Sequence, residues 1–311
     1  MPAPGSPPSS PVRRVVGAGS MRGPHATYRG DMAASLETSA SLFCRSTLHF
    51  AARGSALEPE AVDVDILDAR TADLPGWDEC GFELLSGESA VSDWSSDDEV
   101  ASIHHGEMEA LARRLTGCDV ALVSSHIKRG PEFARQHEDL APIAFVHSDF
   151  AVGYDTLVRR SFDDPGREGA AQALERNGVT AADVAAASRL VILQSWRNLG
   201  PAKMDFPLAF CDARTVMPAD ARPIPVSDYA GSGIDFEAVA VLAPTSPDQY
   251  RWYAFPELQL DEVVAFRTYD TDLVERGDTW FTPHSAFHDP DVQVGRPARS
   301  SIELRAICLY E

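Results

Sequence analysis

The chain has 311 residues and a formal charge of −20, from 27 Lys and Arg against 47 Asp and Glu. It lacks the basic footprint that a phosphate backbone requires, so nucleic acid is excluded as a partner. At 44% apolar residues it can bury a full core, yet no uninterrupted apolar run approaches the ~18 residues of a membrane span, and a soluble protein is expected.

Residues 1–32 are rich in Pro, Gly, Ser and Arg and hold too little apolar surface to offset the entropy of ordering, so they read as a disordered extension. Arg13 and Arg14 are followed by no apolar h-region, which argues against a secretory signal. The remainder, 33–311, reads as a single domain. Short apolar stretches from Ser41 to Val64 suggest a hairpin, and Ala61–Asp68 alternates with the period of a strand. After the acidic stretch Asp93–Glu99, Ala101–Thr116 reads as a helix with Gly117 just past its end. His104 and His105 lie on that helix about 100° apart, which favours surface or packing roles over joint chelation. Asp119–Ser124 and Pro142–Val146 are strand candidates, Pro165–Gly178 favours helix, and Thr180 caps a short helix reaching Ser188. Leu190–Trp196, Pro207–Phe210, Val239–Leu242, Arg251–Phe255, Val263–Tyr269 and Ser301–Tyr310 read as strands. Many short strands with a few flanking helices indicate a mainly β fold, a double-stranded β-helix of the jelly-roll, cupin-like type that encloses a ligand cavity. Cys44, Cys80, Cys118, Cys211 and Cys308 are odd in number and not closely paired, which points to a reducing cytoplasm; Cys211 and Cys308 fall in apolar runs and read as core residues.

The chemistry-bearing pattern is His147-Ser148-Asp149 at the end of the run Pro142–Val146, followed far downstream by His284 and then by Arg299-x-Ser301. Side chains at i and i+2 of a strand share a face, so His147 and Asp149 can reach one ion. Two imidazoles and one carboxylate on one side of Fe(II) leave the other positions for a chelating cosubstrate and O2. Arg299, at the start of the last strand, can hold a dicarboxylate by two parallel charge-assisted hydrogen bonds, with the Ser301 hydroxyl adding a third; this is the expected place for the distal carboxylate of 2-oxoglutarate. Arg296 or Arg305 could take the place of Arg299.

Further blocks accompany these motifs: Val123–Arg129, Ser195–Pro201 with Asp205–Asp212, and Tyr250–Tyr253 through Asp261–Val263 to Tyr269-Asp270. Together, over about residues 118–311, they resemble a family of iron/2-oxoglutarate oxygenases. That family includes the 7α-cephem-methoxylase component of cephamycin biosynthesis and fungal hydroxylase/desaturase enzymes of secondary metabolism. The cephem-methoxylation members look nearest. One departure is that Ala298, not Pro, directly precedes Arg299. The resemblance implies Fe(II), 2-oxoglutarate and O2, a cephalosporin-type β-lactam hydroxylated at C7, and a methyltransferase partner that uses S-adenosylmethionine to complete the 7α-methoxy group.

The same blocks hold the residues that the resemblance offers as substrate contacts: His126, Arg129, Trp196, Arg197, Trp252 and Tyr269. Arg129 or Arg197 could hold a substrate carboxylate, and each could equally form a buried structural pair. Trp196 and Trp252 fit core packing better than stacking platforms. Two other classes compete: a catalytically silent accessory protein that delivers the hydroxylated intermediate to the methyltransferase, which is expected to have lost a ligand, and a zinc hydrolase, for which no second carboxylate motif supplies a base.

Overall fold

The computed structural model describes residues 40–311, so the expected extension at 1–32 lies outside the described residues. Among the described residues, thirteen strands form two sheets. The larger comprises β1 (Leu42–Ala52), β2 (Ser55–Asp68), β5 (His147–Ser148), β7 (Leu208–Cys211), β8 (Ala221–Val226), β9 (Phe236–Val241), β10 (Trp252–Ala254) and β12 (His284–Ala286), in the order β1-β2-β10-β7-β12-β5-β9-β8. The smaller comprises β3 (Phe82–Ser86), β4 (Val120–Arg129), β6 (Arg189–Asn198), β11 (Glu262–Asp270) and β13 (Ser301–Tyr310), in the order β3-β11-β6-β13-β4. The fold is a double-stranded β-helix, mainly β with flanking helices.

Alternation along β13 shows how the smaller sheet divides its work. Ile302, Leu304, Ala306 and Cys308 pack with Met108, Leu111 and Ala112 of the helix His105–Thr116, while Ile307 and Leu309 join the core on the other face. Ser301, Glu303 and Arg305 share that second face by the same period. Polar side chains are thereby aimed at the interior from a strand whose other face is wholly apolar.

The β1–β2 hairpin, the strands at Leu190, Pro207, Val239, Arg251 and Val263, and the last strand lie where the sequence places them. Helices run over Glu168–Asn177 and Ala181–Ala186, the second closed by a capping box between Thr180 and Asp183. His104 and His105 are buried, His104 in a π-helical turn over Val100–His104 that precedes the main helix. Both take packing positions rather than surface ones.

One strand assignment is corrected. Pro142–Val146 forms no regular strand, and the ladder begins only at His147. The segment is extended but shares its hydrogen bonds among three neighbours: Ile143 O accepts from Ala286 N, Val146 N donates to His49 O, and Val146 O accepts from Val241 N. Pro142 has no N–H with which to start a ladder. The edge strand β8, which holds Pro223 and Pro225, and the helix Tyr154–Asp163 are not apparent in the sequence pattern.

Candidate metal and cosubstrate site

His147 on β5 and His284 on β12 face each other as a directly paired position of two antiparallel strands, with ring centroids 4.4 Å apart. Asp149 follows β5 by one residue. One ligand atom from each of His147, Asp149 and His284 can lie within 4.8 Å of the others, the one such group among the described residues. Strand pairing has joined positions 137 residues apart (284 − 147).

The imidazoles are set up as lone-pair donors. His147 Nδ1 lies 2.7 Å from the carbonyl of Phe145, and His284 Nδ1 lies 3.1 Å from that of Thr282. A carbonyl can only accept, so each Nδ1 carries the proton and each Nε2 is left unprotonated. Burial lowers both pKa values, that of His284 to about 4 with help from the neighbouring His147. Burial alone would raise the Asp149 pKa, but Arg305 and then the two histidines outweigh it and hold the carboxylate at about 2. Two neutral imidazoles and one carboxylate fit a divalent iron.

Asp149 is tethered on one side. Its Oδ2 accepts from Arg305 Nε and Nη2 at 3.3 and 3.1 Å, while Oδ1 faces His147 Nε2 at 3.9 Å. Arg305 therefore fixes the Asp149 carboxylate with Nε and Nη2 and does not take the place of Arg299, and Arg296 is exposed. Glu303 completes a buried chain of alternating charge. It accepts from Arg129 Nε and Nη2 at 3.2 and 2.9 Å, and its Oε1 lies 3.5 Å from Arg305 Nη2.

Arg299 stands apart from that chain. It is 3% exposed, its Nε donates to Ser301 Oγ at 3.2 Å, its Nη1 donates to the carbonyl of Phe206 at 3.3 Å, and its guanidinium lies over the Trp196 ring at 5.1 Å. No carboxylate oxygen among the described residues pairs with the guanidinium within 4 Å; Asp205 Oδ1 accepts from the Arg299 backbone N–H at 2.9 Å instead. Burial, with repulsion from Arg129, pushes its pKa down to about 9. A buried cation without an anion costs several kcal/mol unless something negative joins it. Arg299, His147, Asp149 and His284 line one cavity, so the orphaned charge and the ligand cluster face the same space.

The tentative substrate residues do not converge. Arg129 lines the cavity but is committed to Glu303 and to the Tyr229 hydroxyl at 2.7 Å. Arg197 lies on the helix-facing side of β6, where it bonds the Leu260 carbonyl and stacks on Trp94 at 5.3 Å; burial lowers its pKa to about 10. Trp196 is fully buried beneath Arg299. Trp252 pairs with Cys211 while His284 pairs with Phe210, so Trp252 points to the opposite face of its sheet. The Tyr269 hydroxyl accepts from Gly153 N at 3.0 Å and bonds Asp155 at 2.9 Å, tying β11 to the helix Tyr154–Asp163. His126 bonds His105 and Asp97, each at 3.1 Å, and borders a separate, larger cavity.

Sequence reasoning missed Glu303 and Gln194, which also line the site; Gln194 Oε1 has no hydrogen-bond partner. A usable signal for Glu303 was present, because Ser301, Glu303 and Arg305 alternate with Ile302, Leu304 and Ala306.

The family described as "Oxidoreductase/YMDC permease-like domain" matches residues 39–309. The chain belongs to this oxidoreductase family. Among curated relatives of this oxidoreductase, the hydroxylase/desaturase efuI of Hormonema carpetanum is 28% identical over 243 residues, 75% of this chain and 78% of the relative. The alpha-ketoglutarate-dependent dioxygenase phiK of a fungal species is 25% identical over 253 residues, 79% of this chain and 83% of the relative. Among solved structures, the iron and alpha-ketoglutarate-dependent endoperoxidase NvfI superposes with a TM-score of 0.66 at 22% identity, over 86% of this chain and 98% of that one, which supports the fold. Among the described residues no helix is long and apolar enough to cross a membrane.

Proposed function

We propose that the chain is an Fe(II)/2-oxoglutarate-dependent oxygenase of secondary metabolism, in which His147, Asp149 and His284 hold the iron and Arg299 with Ser301 holds the distal carboxylate of 2-oxoglutarate. The observation that carries this reading is the pairing, in one cavity, of two Nε2 lone pairs and a carboxylate with a buried guanidinium that lacks an anion. Its named relatives include an alpha-ketoglutarate-dependent dioxygenase and a hydroxylase/desaturase.

When bound, iron and 2-oxoglutarate supply the oxidation: O2 is spent in converting the keto acid to succinate and CO2 and in oxidising a substrate C–H bond. The protein's own groups orient and shield. The carbonyls of Phe145 and Thr282 hold both imidazoles in one tautomer, and Arg305 holds Asp149 so that Oδ1 is presented. Phe210 and Phe266 flank His284, with ring centroids 6.5 and 4.8 Å away, and keep that side of the site dry.

The narrower reading is C7 hydroxylation of a cephalosporin-type β-lactam, in the cytoplasm, with an S-adenosylmethionine-dependent methyltransferase as partner; it rests on the motif blocks and treats 33–311 as one oxygenase domain. The alternative, a silent accessory protein, calls for a missing ligand, and His147, Asp149 and His284 are all present. The test is succinate formation from 2-oxoglutarate with Fe(II) in air, with and without a cephalosporin. Changing His147, Asp149 or His284 to Ala should cut turnover at least ~100-fold and weaken metal binding, the scale on which supporting groups of metal sites already act. Full turnover by any one of the three would overturn the ligand assignment, and succinate formation that no cephalosporin accelerates would remove the narrower reading alone.

A further inference from the structure

A cavity of about 330 Å³ lies beside the candidate metal site, within the size range of ligand pockets. It rests on the oxygenase reading that this cavity is reached from the iron, and two neighbours make that connection. Phe150 follows Asp149 in the chain, and Arg305 holds Asp149 on one side and borders the cavity on the other.

The wall has two properties. Its body is aromatic: Phe150 stacks on Tyr154 at 3.7 Å, and Phe236 lies 6.0 Å from Phe150 and 5.9 Å from Tyr229. Its charge is one-sided. In a chain with a net charge of −20, no Asp or Glu lines this cavity, whereas Arg305 and Arg167 both do. Arg305 spends Nε and Nη2 on Asp149 and Glu303, and its Nη1 makes no hydrogen bond among the described residues. A donor is thus available at the end of the cavity nearest Asp149.

We propose that this cavity is the substrate chamber and that it takes a largely apolar, ring-bearing small molecule with a single carboxylate or carbonyl oxygen placed on Arg305. The aromatic faces supply a sequence-independent platform for a ring body, and the one acceptor group fixes which end of that body lies toward the metal. Arg167 is paired with Asp164 at 3.6 Å, so Arg305 is the side chain that disfavours a cationic molecule here, against the attraction that the net charge of the chain exerts elsewhere.

The probes are 2-naphthoate and 2-naphthylmethylammonium, one ring system with opposite charge, titrated by calorimetry into the full chain loaded with Mn(II) and 2-oxoglutarate under nitrogen. The naphthoate should bind at least tenfold tighter than the ammonium. Ser161→Trp, which fills the cavity from the helix Tyr154–Asp163, should weaken naphthoate at least tenfold, and Leu157→Trp on the same helix does the same work if the first variant does not fold. No binding of naphthoate by the unaltered chain, equal or tighter binding of the ammonium, or unchanged binding by a folded filling variant would overturn the proposal. Binding of 2-oxoglutarate to the Mn(II)-loaded chain under nitrogen is measured alongside. Its absence defeats the oxygenase reading, whereas the naphthoate results bear on the chamber alone.

Discussion

Arg299→Met should move stability and cosubstrate affinity in opposite directions. Methionine keeps the unbranched stem over Trp196 but removes a charge that is 3% exposed and has no carboxylate partner. In the protein without cosubstrate, the lost hydrogen bonds to Ser301 Oγ and the Phe206 carbonyl partly offset the relief of burying no charge. The net gain should be about 1 kcal/mol, or roughly 2–4 °C in melting temperature for a domain of this size. With 2-oxoglutarate the sign reverses. Its distal carboxylate would sit buried without a partner, at a cost of about 3–5 kcal/mol, which is roughly 150- to 5000-fold in affinity. Thermal melts with Mn(II) under nitrogen read both effects, because a ligand at 100 times its Kd adds about 2.7 kcal/mol of stability and that increment should vanish in the variant. A variant that melts several degrees lower without 2-oxoglutarate, or that keeps the full 2-oxoglutarate shift, would refute the assignment of Arg299 as an unpaired anion anchor.

Glu303→Leu strands Arg129 in the interior and should cost about 3–5 kcal/mol, or roughly 6–20 °C, whereas the double change Arg129→Met with Glu303→Leu should recover most of the loss. A double variant as unstable as the sum of the singles, measured by urea unfolding, would show that the pair is not the source. The buried helix residues His104 and His105 have pKa values lowered by burial to about 4 and about 3. In the unfolded chain both titrate near ~6.5, so between that value and about 4 the unfolded state binds more protons and stability rises with pH. Stability should therefore fall on acidification from pH 6.5, by up to ~1.4 kcal/mol per pH unit for each histidine, and His104→Phe with His105→Phe should flatten the slope over that window. An unchanged slope would mean that another group, such as Glu107 beside His104, carries the acid sensitivity.

That His147, Asp149 and His284 come together was legible from context rather than from the residue types, because His147 and Asp149 are two apart at the end of an apolar run and His284 follows in a short segment before Arg299-x-Ser301. The last strand was legible because Ser301–Ala306 alternates polar with apolar and runs on into the apolar stretch Ile307–Tyr310, with Gly and Pro confined to the residues before it. The segment Pro142–Val146 was misread because an apolar run states only that it is buried. Whether it joins one ladder or divides its hydrogen bonds among His49, Val241 and Ala286 is decided by chain segments remote in sequence. The partners of Arg129, Arg197 and Arg305 were illegible for a similar reason. A charge in a strand announces no partner, and Arg129 meets Glu303 only through the pairing of β4 with β13. The helix Tyr154–Asp163 escaped notice because it begins after Gly153 with no side-chain cap, and the signals that mark the Thr180 helix are missing there.

Pro223 and Pro225, two apart in β8, leave gaps in the row of backbone donors at the free edge of the larger sheet. An uninterrupted edge is a template on which a second chain can add its own strand, the first step toward swapped dimers and fibrils. With donors missing at every other residue, an incoming strand would leave carbonyls unmatched along its whole length. The segment that looks least like a strand in the sequence is thus the one that blunts this edge of the sheet against a second chain.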